Sequence, residues 1–244
     1  MMQHAGGYRW AVHELRQRQK TAKGAPAYSR YINRPLGRRL AALAYRWGLN
    51  PNQVTGLSAV CTFGGIFVIA AFAPSWPMAW FVAALLVAGY ALDSADGQLA
   101  RLQNSGSAAG EWLDHIVDAI KTAVLHAAVL ICWYRFYDLE VRWLLVPVAF
   151  QAVASVQFFA MILTDQLRRL NRGMTDHFMS GQGTSSMAYS LAVLPTDFGL
   201  MCLLFVLLAW PAGFVTGYTV LLLANFGFVV LALAKWYREV RRYG

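Results

Sequence analysis

Residues 93–121 read DSADGQLARLQNSGSAAGEWLDHIVDAIK. Long apolar runs flank this stretch, so its acids, glycines and polar link fall between two greasy segments. Asp93 and Asp96 close the first segment at i, i+3, and Asp114 and Asp118 open the second at i, i+4. On a helix of 3.6 residues per turn, Asp93, Asp96, Gly97 and Ala100 share about one third of the circumference. Gly110, Asp114, Asp118 and Lys121 form a comparable stripe on the next helix. The link is short, so the sequence predicts antiparallel neighbours whose stripes face one cleft.

The flanks explain why these must be membrane helices. Of 244 residues, 58% are hydrophobic and only 14% charged, against about 25% charged in an ordinary soluble domain. A soluble domain this size could not hide so much apolar surface, which predicts an all-α integral membrane bundle. Disorder, collagen-like repeats and a disulfide scaffold are excluded by the same figures. Cys61, Cys132 and Cys202 lie in apolar stretches without regular spacing and read as small buried hydrophobes. The net charge of +9 fits a basic face against anionic lipid rather than nucleic acid.

Windows of about 20 apolar residues predict six spans: Val54–Ala73, Met78–Leu99, Gly110–Tyr134, Trp143–Leu163, Pro195–Trp210 and Phe214–Ala234. Met187–Leu194 could extend the fifth, and Pro195 could kink it. No apolar run near the start resembles a signal peptide. Eighteen of the 21 Lys and Arg fall in the N-terminal segment, the links after spans two and four, and the tail. The positive-inside rule then places both termini and the acidic cluster on the cytoplasmic side of the cell membrane. The predicted layout is a basic segment over 1–29, an amphipathic interfacial helix over 30–49, a transmembrane domain over 50–236 and a basic tail over 237–244. In the interfacial stretch, Leu36, Leu40, Leu43 and Trp47 recur at helical spacing among Arg34, Arg38, Arg39 and Arg46. Residues 171–186 read as a long polar loop.

Four carboxylates in one cleft repel each other, and burying them unpartnered costs several kcal/mol each. Lys121 and Arg101 offset at most two. Hard divalent cations are the simplest remaining solution, Mg²⁺, Mn²⁺ or Ca²⁺, and four ligands suit two ions about 3.5–4 Å apart. Gly97 and Gly110 leave room for a phosphate or nucleoside against the backbone. The carboxylates alone fit an ion-coupled transporter equally well. The ordered small residues tip the balance toward chemistry, since a proton path has no need of them.

That order, Asp93-x2-Asp96-Gly97-x2-Ala100-Arg101-x8-Gly110-x3-Asp114-x3-Asp118, resembles the complete signature of the CDP-alcohol phosphotransferases. Pro51-Asn52-Gln53-Val54-Thr55 resembles the stretch that opens that family's first span. The resemblance implies a membrane enzyme of phospholipid biosynthesis that moves a substituted phosphate from a CDP-linked lipid donor to an alcohol or alcohol phosphate, releasing CMP. Phosphatidyl transfer from CDP-diacylglycerol is the reading the short build favours, with transfer from a CDP-alcohol to diacylglycerol as the alternative. Carried over by position, Asp93, Asp96, Asp114 and Asp118 would hold metal, and Asp118 would also be the general base. Asp93, Gly97, Ala100, Arg101, Thr55, Asn52 and Gly110 would hold the CDP part. A homodimer is also implied.

Other residues keep two readings. Thr55 and Asn52 could cap the first span. Lys121 could pair with Asp114 or Asp118, or touch the acceptor. Arg168, Arg169 and Arg172 could hold an acceptor phosphate or only mark the basic face. Glu111 suits the start of its helix, where an acid meets the dipole favourably, and His115 is a lone imidazole beside the cluster.

Overall fold

The computed structural model describes residues 7–19, 24–172 and 186–243, with the side chain of Arg172 outside the description. Most of the polar loop expected over 171–186 also lies outside the described residues, as do Lys20 and Lys23. The described residues form helices and no strand. Five helices are long and apolar enough to cross a membrane: α3 (Pro51–Ala71), α4 (Trp76–Gln103), α5 (Ala108–Phe136), α6 (Leu145–Arg172, led by a 3-10 turn) and α9 (Pro211–Val240).

The helix ends follow local chemistry. Asn50 accepts from the Gln53 N–H at 2.9 Å while the Gln53 side chain accepts from the Asn50 N–H at 2.9 Å, a reciprocal cap ahead of Pro51. Capping therefore falls to Asn50 and not to Asn52 or Thr55. Asn104, left-handed at φ 50°, ends α4, and Ser107 caps α5 by accepting from the Gly110 N–H at 3.1 Å.

Two stretches depart from the predicted layout. The basic N-terminal segment contains α1 (Tyr8–Gln17), which buries Ala11 and Leu15 completely. A turn of π-helix over Ser29–Asn33 then runs into α2 (Arg34–Arg46), within the stretch expected to form the interfacial helix. The fifth span is shorter than its window: α7 (Met187–Ala192), a 3-10 turn at Leu194–Thr196, then α8 (Phe198–Leu204) with a 3-10 turn to Ala209. Pro195 and Pro211 bracket that piece, and proline cannot continue the hydrogen-bond ladder.

Packing relies on small residues where helices meet, as expected when lipid removes the hydrophobic drive between them. Gly89 lies against Thr62 and Ser58, and the Ser58 hydroxyl donates to the Gly89 carbonyl at 2.8 Å, joining α3 to α4. Ala41, Ala42 and Ala44 of α2 share a cluster with Ala95 and Leu99 of α4. The larger core holds Trp133, Phe205, Phe214 and Tyr218. Two of its hydroxyls find partners: the Tyr218 hydroxyl meets His126 Nδ1 at 2.5 Å, and the Tyr137 hydroxyl donates to the Leu208 carbonyl at 2.5 Å.

One expectation is corrected. Although their link is short, α4 and α5 scarcely touch; α3 packs along both instead. The gap left between α4 and α5 is what opens the site.

Candidate functional site

The C-terminal end of α4, the N-terminal ends of α3 and α5, and one side chain of α6 enclose a cavity of about 560 Å³. Its walls include Asn52 and Thr55, then Asp96, Gly97 and Ala100, then Gly110 and Asp114, with Arg169 across the gap. Two helix N-termini reach it, so its field favours negative charge.

Beside this cavity, Asp93, Asp114 and Asp118 each bring one carboxylate oxygen within 4.8 Å of the others. The two stripes read from the sequence thus converge across the gap. Asp96 stands next to them but points its oxygens elsewhere. Its Oδ2 accepts from the Thr55 hydroxyl at 2.6 Å and its Oδ1 from the Gly97 N–H at 2.5 Å. Four acids share the site, and three gather around one point. Lys121, half-buried, pairs with Asp118 and stacks its ammonium 4.9 Å from the centre of the Phe198 ring. Asp93 is its other close negative charge. One lysine cannot neutralise three carboxylates. The donor set, all hard oxygen, is the kind that Mg²⁺ or Mn²⁺ takes.

Arg101 is tied to the N-terminal segment. Its Nε donates to the Arg18 carbonyl at 3.0 Å, and the Arg18 guanidinium donates back to the Arg101 carbonyl at 3.1 Å. Gln19 extends the tie by donating to Gln98, one turn from Ser94 on α4. No sequence signal pointed to this strap beyond the apolar spacing of Tyr8, Ala11, Val12 and Leu15.

Arg168 and Arg169 of α6 have protein partners. Arg168 makes a two-pronged pair with Glu239 at 2.7 and 2.8 Å. Arg169 bridges Glu111 at 2.5 Å and Asp165 at 2.9 Å, and still lines the large cavity. Glu111 therefore binds α6 as well as starting α5; His115 lies 3.7 Å from the same carboxylate.

Sequence reasoning missed Asp197. It is buried, caps α8 through the Gly199 N–H at 2.9 Å, and accepts from the Ser29 N–H at 2.7 Å. An Asp directly before the apolar run of α8 is a cap signal in its own right. With Lys121, Thr122, His126, Gln157 and Asn225 it lines a second cavity of about 170 Å³.

The family model for CDP-alcohol phosphatidyltransferase matches residues 49–235, taking in α3 to α9 and every member of the acidic cluster. Solved structures that resemble this fold include the phosphatidylinositol phosphate synthase of Mycobacterium tuberculosis with CDP-DAG bound. The two share 20% identity at a TM-score of 0.54, over 84% of this chain and 94% of that one. No curated protein matches the chain.

Proposed function

This chain belongs to the CDP-alcohol phosphatidyltransferase family, and from that premise we propose that it transfers a phosphatidyl group from CDP-diacylglycerol to an alcohol and releases CMP. The observation that carries this reading is the convergence of Asp93, Asp114 and Asp118 beside a 560 Å³ cavity walled by Gly97 and Gly110. The CDP-DAG bound to the similarly folded synthase supports the choice of donor.

In this reading the acceptor oxygen attacks the phosphatidyl phosphorus, its proton passes to the Asp118 carboxylate, and the bond to CMP breaks with its electron pair leaving on CMP. Asp93, Asp114 and Asp118 would hold Mg²⁺ or Mn²⁺, with Asp96 completing the set if it turns from Thr55. Held by these carboxylates, such a metal would supply positive charge against the pyrophosphate. Thr55 and the Gly97 N–H keep Asp96 aimed along the cavity wall. Arg101 offers a fork of donors to phosphate, and the strap through Arg18 limits its rotamers. Gly97 and Gly110 let the donor lie against the helix backbones. Lys121 holds Asp118 in place and borders the 170 Å³ cavity. That space is near the size that accepts a six-carbon ring and gives an acceptor a route to Asp118. The Arg168 and Arg169 pairs with Glu239 and Glu111 make both arginines structural braces first; only Arg169 also faces the donor cavity. The concentration of basic residues supports reading this face of the bundle as the cytoplasmic one.

The test is CMP release by the purified protein from CDP-diacylglycerol, Mg²⁺ and a panel of alcohols, with lipid products read by mass spectrometry. A chelator is expected to lower the rate about a hundredfold or more, with Mg²⁺ or Mn²⁺ restoring it. Substrate movement across the bilayer without a new covalent lipid would instead mark a transporter. Product from a CDP-alcohol and diacylglycerol would reverse the donor assignment.

A further inference from the structure

The N-terminal helices carry a second site that lies outside the stretch shared with the family, which begins at residue 49. Between α1 and α2 runs a groove of about 260 Å³, lined by Tyr8, Arg9, Val12, His13 and Arg16 on one side and Arg39 on the other. Arg38 sits beside it. Arg16 and Arg39 are its nearest like charges, and its Nε is buried without a hydrogen-bond partner. Burial first, and then those two neighbours, push the Arg38 guanidinium below its ordinary pKa.

The sequence supplies no local counter-charge. Glu14 is the one acid among the first 50 residues, and Arg18 holds it at 2.8 Å. None of the ion pairs among the described residues includes Arg9, Arg16, Arg38 or Arg39. Helix packing through Ala11 and Leu15 nevertheless keeps α1 against α2 and α4. The fold thus gathers the guanidinium groups of Arg9, Arg16 and Arg39 around one groove, with Arg38 beside them. Phosphate oxygens match such forks, and Arg is the side chain best shaped to grip them in pairs.

The surroundings say where the phosphate comes from. Trp10 on α1 is 43% exposed and packs its ring 5.6 Å from Tyr45, while Trp47 at the end of α2 is 69% exposed. Aromatic side chains of this kind sit at head-group level, and a basic amphipathic helix lies in the same layer. We propose that the α1–α2 groove binds the phosphate of an anionic phospholipid head group, held by Arg9, Arg16, Arg38 and Arg39. The occupied groove lies two residues before Arg18, whose carbonyl accepts from Arg101, so a lipid here would steady the strap on the catalytic end of α4.

Native mass spectrometry of the full chain, taken from bilayers of phosphatidylcholine with phosphatidylglycerol, reads this directly and needs no turnover. The wild-type protein is expected to retain phosphatidylglycerol, and Arg16→Gln/Arg39→Gln to lose about tenfold or more of it. Arg241→Gln/Arg242→Gln removes the same charge from exposed positions at the end of α9 and is expected to retain the lipid. Equal retention by the groove variant, or equal loss by the control, would overturn the site. Displacement of the lipid by millimolar inorganic phosphate would overturn the lipid assignment in favour of a soluble anion.

Discussion

Asp118→Asn is expected to lower the rate of CMP release by about 10²–10⁴-fold while CDP-diacylglycerol still binds within about threefold of the wild-type affinity, the scale of a half-kcal perturbation. Asparagine keeps the shape and one acceptor oxygen for Lys121, so the α5 surface should not rearrange. What it removes is the negative charge and the ability to take a proton. Asp93 and Asp114 remain to hold the donor end of the site, since their oxygens lie within 4.8 Å of the lost one but belong to different turns or helices. Single-turnover rates and donor binding, measured side by side, separate the two effects. Full activity in this variant would remove Asp118 as the base. A matching collapse of donor binding would make it chiefly a ligand.

Much of that site was legible because it is written in one continuous stretch. Helical periodicity alone sets Asp93 near Gly97 and Asp114 near Asp118, and a short link forces the two helices back toward each other. What periodicity cannot supply is the third partner. The packing of α3 along both α4 and α5 rests in part on Gly89 meeting Ser58 and Thr62, a contact between different helices. The same holds for Asp96, whose engagement with Thr55 follows from where α3 begins. The spans were readable from apolar length, except where prolines at 195 and 211 broke the fifth into short turns. Helix α1 escaped notice because its apolar residues fill a single short stretch of ten positions, interleaved with Arg9, His13, Glu14, Arg16 and Gln17. Arg168 and Arg169 were left between an anion site and the plain basic face because an isolated sequence shows cations without their partners. Glu239 and Glu111 lie 71 and 58 residues away from them.

The second large effect concerns Gly97. A Cβ at this position would meet only Arg101 Nη1, at an ordinary 3.7 Å, so the protein has room for a side chain and the cavity does not. Leucine also improves helix propensity over glycine by up to about 1 kcal/mol. Gly97→Leu is therefore expected to melt no lower than the wild type, yet to bind CDP-diacylglycerol about ten- to a hundredfold more weakly, the range of an overpacked contact. Gly89→Ala gives the opposite signature. Its Cβ would collide with Thr62 and come within 3.2 Å of the Ser58 carbonyl, which costs about 1–3 kcal/mol and lowers the melting temperature of the bundle. Both positions lie on α4, so the contrast isolates what each faces: a neighbouring backbone at 89, a ligand at 97. Thermal denaturation and donor binding on the two variants distinguish these roles. If Gly97→Leu bound the CDP-lipid as tightly as wild type, the donor would have to lie elsewhere, and the wall formed by Gly97 and Gly110 would lose its purpose.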